Sequence, residues 1–388
     1  MVRVSSLFSQ TLALFSRTEF HSAVNEHRAE RYSKGFSCWD QFVAMMFCQL
    51  AQAKSLREIC SGLACCVGKL QHLGVKSAPS KSTLAYANEH RPWELYETVF
   101  TQLLGRCQAL ARGRKPFRFR NKLYSFDSTL IELCVSLFDW ARYRRTKGAV
   151  KLHLLLDHDG YLPTFGVISE GKMHDVRMAW ALELPPDSVV VLDRGYTDYH
   201  LFGLWTDEGV WFVTRIKGNA AYRVVESRDV PERGGVVCDQ VIELTGQQAR
   251  IVCPHRLRRI KYRDAETGQT LVFLTNHMGF AASTIARIYK ERWQIELFFK
   301  ALKQNLKIKT FVGTSPNAVR VQIWTALIAM LVLKYLQLRS RLGWALSNLV
   351  ALVRWNLFTH RDLWTWLDNP FETPALDPPG VQLALALG

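Results

Sequence analysis

The chain has 388 residues, of which 48% are hydrophobic, and this is enough apolar material for two or three packed domains. With 22% charged and 12% aromatic residues, the composition excludes intrinsically disordered, collagen-like and disulfide-scaffold proteins. Fifty Lys and Arg residues outnumber 34 Asp and Glu residues, so the formal net charge is +16. This charge favours a polyanionic partner, with nucleic acid ahead of an acidic membrane surface, although a solvated basic surface gives the same balance.

The sequence indicates an intracellular protein. Its nine cysteines include no Cys-x-x-Cys pair, and the adjacent Cys65 and Cys66 suit neither a disulfide nor a zinc site. Charged residues from Arg17 onward interrupt the N-terminal apolar stretch, so we expect no signal peptide. The apolar stretch at 323–333 is too short to cross a bilayer and predicts a buried core helix. We expect a cytoplasmic protein with no membrane partner.

Residues 1 to about 110 carry helical patterns and almost no strand pattern. Apolar residues recur at helical spacing from Phe42 to Ala53. Ser55 and Glu58 have the spacing of a capping box, and Ser82 is a candidate N-cap. These features predict a helical N-terminal domain over 1–118, for which DNA binding and dimerisation are both open roles.

Two clusters of basic residues lie near the start of the next region. The first cluster occupies eleven residues and consists of Arg112, Arg114, Lys115, Arg118, Arg120 and Lys122. The second consists of Arg142, Arg144, Arg145, Lys147 and Lys151. Each cluster is typical of a solvated segment and equally of one that follows a phosphate backbone.

From residue 121 the pattern changes to strands. Strands are predicted at 123–126, 150–156, 162–168, 188–192 and 210–216, with helices at 174–184 and 199–205. The β-branched run at 188–192 is typical of a central strand buried on both faces. Asp157 to Gly160 has the composition of a hairpin turn, which explains its two aspartates without a metal.

The last part of the chain changes character twice. Short β segments between 217 and about 268, including Ile251-Val252, predict a β-rich insertion, and strand pattern resumes at 270–274. A catalytic domain is predicted over 119–311. The region 312–388 is predicted to be helical, with an irregular tail from Asn369 because four prolines follow.

The segment 285–309 predicts one long helix with an unusual polar face. At 100° per residue, its apolar residues fall on one side, and the other side carries Tyr289, Arg292, Trp293, Glu296, Lys300 and Lys303. An ordinary amphipathic surface helix has the same periodicity. However, Trp293 is a large apolar group among polar ones, and Glu296 is a lone carboxylate flanked by cations. Such a carboxylate keeps a low pKa and is ready to bind a metal.

Three carboxylates are candidates for a metal site. Asp127 and Asp193 each follow a predicted strand, and a helix packed on the sheet can bring Glu296 to them. Oxygen ligands of this kind suit Mg²⁺ or Mn²⁺. Two such ions can activate a nucleophile and stabilise the leaving 3′ oxygen in phosphodiester transfer.

The spacing of Tyr289, Arg292, Glu296 and Lys303 resembles the Y-R-E-K motif of DDE transposases encoded by bacterial insertion sequences. Asp127 in Phe-Asp-Ser-Thr and Asp193 in Leu-Asp-Arg-Gly-Tyr resemble the first two acids of that family. The 103 positions from Asp193 to Glu296 suit the branch with a β insertion before the last acid. The resemblance implies an α/β fold: a ribonuclease H-like mixed sheet flanked by helices, with a β-rich insertion and helical N- and C-terminal regions.

The resemblance also implies the chemistry. Asp127, Asp193 and Glu296 would be catalytic and would hold two Mg²⁺ ions, with Mn²⁺ as a substitute. The enzyme would nick DNA at the terminal inverted repeats, close a hairpin on the opposite strand and join the 3′ ends to target DNA, as a homodimer in the DNA complex. The expected DNA-binding residues are Tyr289, Arg292, Trp293, Lys300, Lys303 and Arg194, and Trp293 would stack on an extruded base.

Two other functions stay open at this point. One is a ribonuclease H-like nuclease that cuts but does not join, and the other is a non-catalytic DNA-binding relative. Roles are also open for His153, as a structural strand histidine or a neighbour of the first acid. The His174-Asp175 pair is either close to the metals or a helix-capping feature, with Asp175 as a first-turn acid.

Overall fold

The computed structural model describes residues 5–376 except 32, 34, 67, 135, 145–146, 174, 232–233 and 309. Among the residues of interest, Arg145, His174 and the prolines at 378 and 379 lie outside this description. The chain forms two compact units, one made of Met1–Ala111 with Lys300–Gly388 and the other of Arg112–Phe299.

Helices dominate the first unit and flank the sheet of the second. In the described residues they are α1 Leu7–Leu12, α2 Arg17–Glu26, α3 Cys38–Leu50, α4 Leu56–Ala64, α5 Lys81–His90, α6 Glu94–Ala111, α7 Asp175–Ala179, α8 Tyr199–Asp207, α9 Gln247–Val252, α10 Ala282–Glu291, α11 Trp293–Asn305, α12 Pro316–Arg339, α13 Leu346–Asn356 and α14 Leu363–Asp368. The strands are β1 Leu123–Leu133, β2 Arg142–Arg144, β3 Lys147–Asp157, β4 Leu162–Glu170, β5 Val189–Leu192, β6 Trp211–Arg215, β7 Tyr222–Arg228, β8 Val236–Leu244, β9 Leu257–Arg263 and β10 Thr270–Thr275.

The helical unit is built around α12. This helix packs on α3 and α6 and is buried along most of its length. Within the described residues it alone is long and apolar enough to cross a membrane by length and composition, yet its most apolar window is 83% buried, so the predicted buried core helix is confirmed. Because α12 lies against helices from the other end of the chain, the segments before Ala111 and after Lys300 form one structural unit. The boundaries at 118/119 and 311/312 remain predictions about functional domains.

Helix caps in this unit follow the sequence with one exception. Ser55 Oγ accepts the backbone N–H of Glu58 at the start of α4, as the capping-box spacing predicts. At α5 the N-cap is Ser80 and not Ser82, because Ser80 Oγ accepts the N–H of Thr83.

The second unit contains one mixed sheet. In the described residues its ten strands run β2-β3-β1-β5-β6-β10-β9-β8-β7, with β4 also paired to β3. β1, β5 and β6 are parallel, whereas β3 is antiparallel to β1. The predicted fold class, a mixed sheet flanked by helices, is confirmed. The insertion strands extend this same sheet, since β9 pairs with β10 and β10 pairs with β6.

Apolar side chains cover both faces of the central strands. Val190 and Leu192 belong to a core with α8, and Val189 and Val191 belong to a second core with α10. All four are fully buried, which confirms that 188–192 contains a central strand. Because successive side chains of a strand point to opposite faces, this alternation also decides which residues face α10.

Four local predictions are corrected by the structure. The helix expected at 174–184 is limited to Asp175–Ala179, and Ile251-Val252 ends α9 instead of forming a strand. The strand Leu257–Arg263 was not predicted. The long helix at 285–309 is two helices, because at Arg292 the backbone N–H bonds to Tyr289 O, three residues back.

Candidate active site

Asp127 and Asp193 lie side by side on neighbouring parallel strands. Phe126 pairs with Leu192 in the β1–β5 ladder, and each aspartate is the next residue of its chain. Leu123 and Val191 face α10, so strand alternation directs Asp127 and Asp193 to that same face. The sequence predicts that the first strand ends at Asp127. This prediction is wrong, because β1 continues to Leu133 through its pairing with β3. Only the pairing with β5 stops at Phe126.

Asp127 is a largely buried carboxylate with a raised pKa. Its Oδ1 accepts the N–H of Ser128 at 2.8 Å and the hydroxyl of Tyr196 at 3.4 Å. Burial raises the pKa of Asp127 to about 6, against the lowering effect of Ser128 N–H and Arg292. The negative charges of Glu296 and Asp193 raise this pKa further, so the three carboxylates interact electrostatically.

Asp193 is held in its ionised form. Its Oδ1 accepts the N–H of Gly195 at 3.0 Å, and its Oδ2 lies 3.2 Å from Arg215 Nη2. Burial would raise the pKa of Asp193, but the Gly195 N–H and the charges of Arg292 and Arg215 outweigh it and lower that pKa. The two aspartates therefore have opposite pKa shifts within one site.

Glu296 is linked to the first aspartate through Arg292. Arg292 Nη2 lies 2.6 Å from Glu296 Oε1, and Nη1 lies 3.7 Å from Asp127 Oδ2. The Arg292 side chain is only 13% exposed. Burial would lower the pKa of Arg292, but Tyr289 and the two carboxylates raise it, so its charge is retained among the acids.

Tyr289 is placed differently from the prediction. The sequence puts it on the polar face, but the ring is 7% exposed and packs 4.9 Å from Phe273. The reason is that the helix is broken at Arg292, so the buried face of α10 is not a continuation of the buried face of α11. The buried face of α10 includes both Ile285 and Tyr289. The guanidinium carbons of Arg292 and Arg215 lie 5.8 and 5.9 Å from the centre of this ring. Tyr289 thus makes cation–π contacts with two arginines of the site.

The other predicted DNA-binding residues are spread along the same elements. Trp293 begins α11 and is 54% exposed, in line with its predicted position among polar groups. Arg194 is exposed and follows Asp193 directly. Lys300 and Lys303 continue α11 in the helical unit, and their role in DNA binding stays a prediction.

Sequence reasoning missed Arg215 and Tyr196 as members of the site. Tyr196 was available in the Leu-Asp-Arg-Gly-Tyr segment, three residues after Asp193. Arg215 is the last residue of β6, which lies parallel to β5. Its position beside Asp193 therefore depends on the strand order, which local sequence patterns do not show.

A hydrogen-bond network extends behind Asp127. Ser128 Oγ donates to Asp175 Oδ1 at 2.8 Å, and Lys151 Nζ donates to the same oxygen at 3.0 Å. Asp175 is therefore both a first-turn acid of α7 and a partner of the residue beside Asp127. The buried His153 shares a hydrogen bond with Ser169, and it also pairs with Ser128 across the sheet, with its Nδ1 3.8 Å from Asp175 Oδ1. It is thus both a hydrogen-bonded strand histidine and a neighbour of the first acid, and burial lowers the pKa of its imidazole to about 4.

The donor set of this site fits a hard divalent cation. Carboxylate oxygens such as those of Asp127, Asp193 and Glu296 are ligands of the type that Mg²⁺ and Mn²⁺ prefer. In the described residues, however, no three acidic, His or Cys side chains are gathered closely enough to enclose an ion. The positive charge near these carboxylates is supplied by Arg292 and Arg215.

The two aspartates of the β3–β4 turn pair with a lysine and not with the hydrogen-bond network behind Asp127. There, Lys122 Nζ lies 2.8 Å from Asp157 Oδ2 and 2.7 Å from Asp159 Oδ2. An ammonium group thus occupies the position between the two turn aspartates.

Comparison with known proteins identifies the family. Residues 119–332 match the family model described as a transposase DDE domain, and residues 3–76 match a domain of unknown function. A putative transposase of Sinorhizobium fredii is 32% identical over 74% of this chain and 80% of its own length. A probable insertion-sequence transposase of Geobacillus stearothermophilus is 29% identical over 66% and 67%.

A solved piggyBac transposase synaptic complex with hairpin DNA contains a chain that aligns with 96% of this one and 81% of its own length, at 10% identity and a TM-score of 0.43. The family assignment rests on the sequence matches. The chain belongs to the DDE transposases of insertion sequences and is an enzyme that acts on DNA.

Proposed function

We propose that this transposase moves its element by cut-and-paste, through metal-dependent cleavage at the element ends and strand transfer into target DNA. Asp127, Asp193 and Glu296 would hold two Mg²⁺ ions, or Mn²⁺ in their place. The observation that carries the proposal is geometric: Asp127 and Asp193 follow paired residues of neighbouring parallel strands, and Arg292 lies between Asp127 and Glu296.

The bound ions would supply a polarised water and charge stabilisation at the leaving 3′ oxygen. The residues of the chain prepare the site for this chemistry. Arg215 and the Gly195 N–H hold Asp193 ionised, and the Ser128 N–H and Tyr196 hydroxyl orient Asp127. Arg292, which pairs with Asp127 and Glu296, would exchange these carboxylates for a DNA phosphate when DNA binds.

The partners follow from the same proposal. The terminal inverted repeats and target DNA would contact the expected residues Arg292, Trp293, Arg194, Lys300 and Lys303, with Tyr289 acting through the arginines that it supports. We propose a homodimer in the DNA complex, a hairpin intermediate and a cytoplasmic location at the bacterial nucleoid.

The alternative of a nuclease without strand transfer is tested with a pre-cleaved element end. The wild-type protein is incubated with this labelled duplex, a target plasmid and Mg²⁺. Joined products that carry the label support the proposal, and they are expected to be absent with EDTA. Nicking of uncut ends without any joining would identify a nuclease, and end binding without nicking would identify a non-catalytic relative.

A further inference from the structure

A row of aromatic rings lies at the surface of the sheet-containing unit, outside the acidic site. Phe117 stacks on Phe119 with 4.9 Å between ring centres, and Phe119 lies 4.8 Å from Phe280. His277 stacks on Phe280 at 3.7 Å. Phe117, Phe119 and Phe280 are each half-buried, and they pack against the core that includes α10.

These rings line a cavity of about 570 Å³, which we call the aromatic cleft; its walls include Phe117, Arg118, Phe119, Phe280, Thr284 and Arg287. Arg118 and Arg287 are exposed, and the Arg287 guanidinium carbon lies 5.1 Å from the centre of the Phe117 ring. The described residues that line the cleft include no acid. The cleft therefore combines aromatic faces with positive charge alone.

Arg287 is a wall residue of more than one cavity in the sheet-containing unit. It also lines a second cavity of about 260 Å³, whose other walls include Lys290, Arg292 and Trp293. Thr284 and Arg292 are eight residues apart, which is about 12 Å along a helix axis. The two cavities thus share Arg287, and the second one also contains Arg292, which pairs with Asp127 and Glu296. The acid Asp264 also lines the second cavity, but its Oδ1 accepts the N–H groups of Glu266 and Thr267.

We propose that the aromatic cleft binds an unpaired stretch of DNA that continues from the acidic site. Bases would stack on Phe117 and its neighbours, while Arg118 and Arg287 would bind the phosphates. Aromatic platforms combined with a cationic groove are how proteins bind single strands without reading sequence. Duplex phosphates by themselves need cations but no aromatic faces, so the ring row favours an unpaired strand. This inference rests on the proposed function in taking DNA as the substrate.

The test compares two fluorescent DNA ends bound by the full-length chain in metal-free buffer. One is a blunt duplex and the other carries a short unpaired tail, and the affinity of each is measured by fluorescence anisotropy. Phe117→Leu removes a ring face but keeps apolar bulk, and it is expected to weaken binding of the tailed end by about 5-fold or more relative to the blunt end. Phe117→Tyr, which retains the ring, is expected to bind both ends as the wild type does.

Charge is tested with a matched pair of arginine variants. Arg287→Gln is expected to lower the salt slope for the tailed end by about 0.7, the value for one phosphate contact on a single strand. Arg250→Gln is the control, because Arg250 is an exposed cation of the same unit and lines a different cavity that contains Glu243. It is expected to leave the slope unchanged.

The outcomes separate this inference from the proposed function. Equal weakening of blunt and tailed ends by Phe117→Leu would show a duplex contact and overturn the unpaired-strand site. Unchanged binding of both ends by Phe117→Leu and Arg287→Gln would remove DNA from the cleft altogether. Mg²⁺-dependent nicking by the wild type is assayed on the same preparation, so loss of the proposed function is recognised independently of tail binding.

Discussion

Arg292 Nη2 lies 2.6 Å from Glu296 Oε1, one helical turn away. The same guanidinium lies 3.7 Å from Asp127, so one cation neutralises two of the three carboxylates. A buried cation at this position stabilises acids that would otherwise repel each other. The same charge opposes entry of a divalent cation. Ion binding to the free protein and the Arg292 ion pairs are therefore alternatives for the same carboxylate oxygens.

Arg292→Gln is expected to raise the affinity of the DNA-free protein for Mn²⁺ by about tenfold or more. Removing a unit charge about 4 Å from a ligand removes a repulsion of ~1–4 kcal/mol towards an incoming cation. Isothermal titration calorimetry with Mn²⁺ measures the effect, and Arg292→Lys, which keeps the charge, serves as the control. Equal or weaker Mn²⁺ binding by Arg292→Gln would show that Arg292 does not compete with the metal.

Asp127→Asn, Asp193→Asn and Glu296→Gln are each expected to abolish Mg²⁺-dependent nicking and to leave binding of the element end largely intact. The reason is that the proposed two-ion site needs all three carboxylates. Gel shift and nicking assays on one labelled duplex give both readouts. Glu266→Gln is a matched control, since this exposed acid pairs only with the surface residue Lys290 among the contacts described. Normal nicking by any of the three variants would remove that residue from the site.

Stability should respond to pH in opposite directions at the two aspartates, measured as Tm in metal-free buffer without DNA. The pKa of Asp127 is raised from 3.8 to about 6 in the folded protein, so its contribution is favourable below about pH 4 and is lost as pH rises through 6. Asp127→Asn is therefore expected to raise the Tm at pH 7.5 and to have little effect at pH 4. The corresponding gain in the free energy of unfolding at pH 7.5 is at most about 3 kcal/mol.

Asp193 supplies the opposite sign. Its folded pKa is lowered, so its contribution is present above its ordinary pKa of 3.8 and is lost as pH falls through the folded value. Asp193→Asn is expected to lower the Tm at pH 7.5. A lowered Tm for both variants at this pH would contradict the assigned burial of Asp127.

Lys303→Ala is expected to weaken binding of the element end and to reduce the salt dependence. Each duplex phosphate contact contributes about −0.9 to the slope of log affinity against log salt, so loss of one contact reduces the slope by about one. Affinities measured over a range of KCl concentrations give the slope. Should the slope remain that of the wild type, Lys303 does not contact DNA.

Trp293→Ala is expected to slow hairpin formation much more than first-strand nicking. If the half-exposed indole stacks on an extruded base, its loss removes ~1–3 kcal/mol at the step that needs a distorted duplex. Trp293→Phe is expected to recover part of the rate. Both strands are followed on one end-labelled duplex, and a melting curve is recorded for each variant.

The competing explanation is that Trp293 supports the helix by packing against the insertion, since Tyr262 of the insertion lines the same cavity. In that case Trp293→Ala slows both steps equally and lowers the Tm. That combined result would exclude stacking as the main role of the indole.

The sequence by itself determined the class of the protein and predicted the three acids of its site. Asp127 and Asp193 follow apolar runs typical of buried strands, and Glu296 occurs in a motif of fixed helical spacing, so all three depend on local patterns along the chain. The +16 charge likewise depends on composition alone.

Only the tertiary structure decided what surrounds these acids. Arg215 reaches Asp193 because β6 lies beside β5, and strand order is a property of the whole sheet. Tyr289 is buried because Phe273 of β10 lies under α10 and the helix breaks at Arg292, which moves the apolar face to another side. The raised pKa of Asp127 also needs the fold, because burial is its largest cause and burial is made by residues distant in sequence.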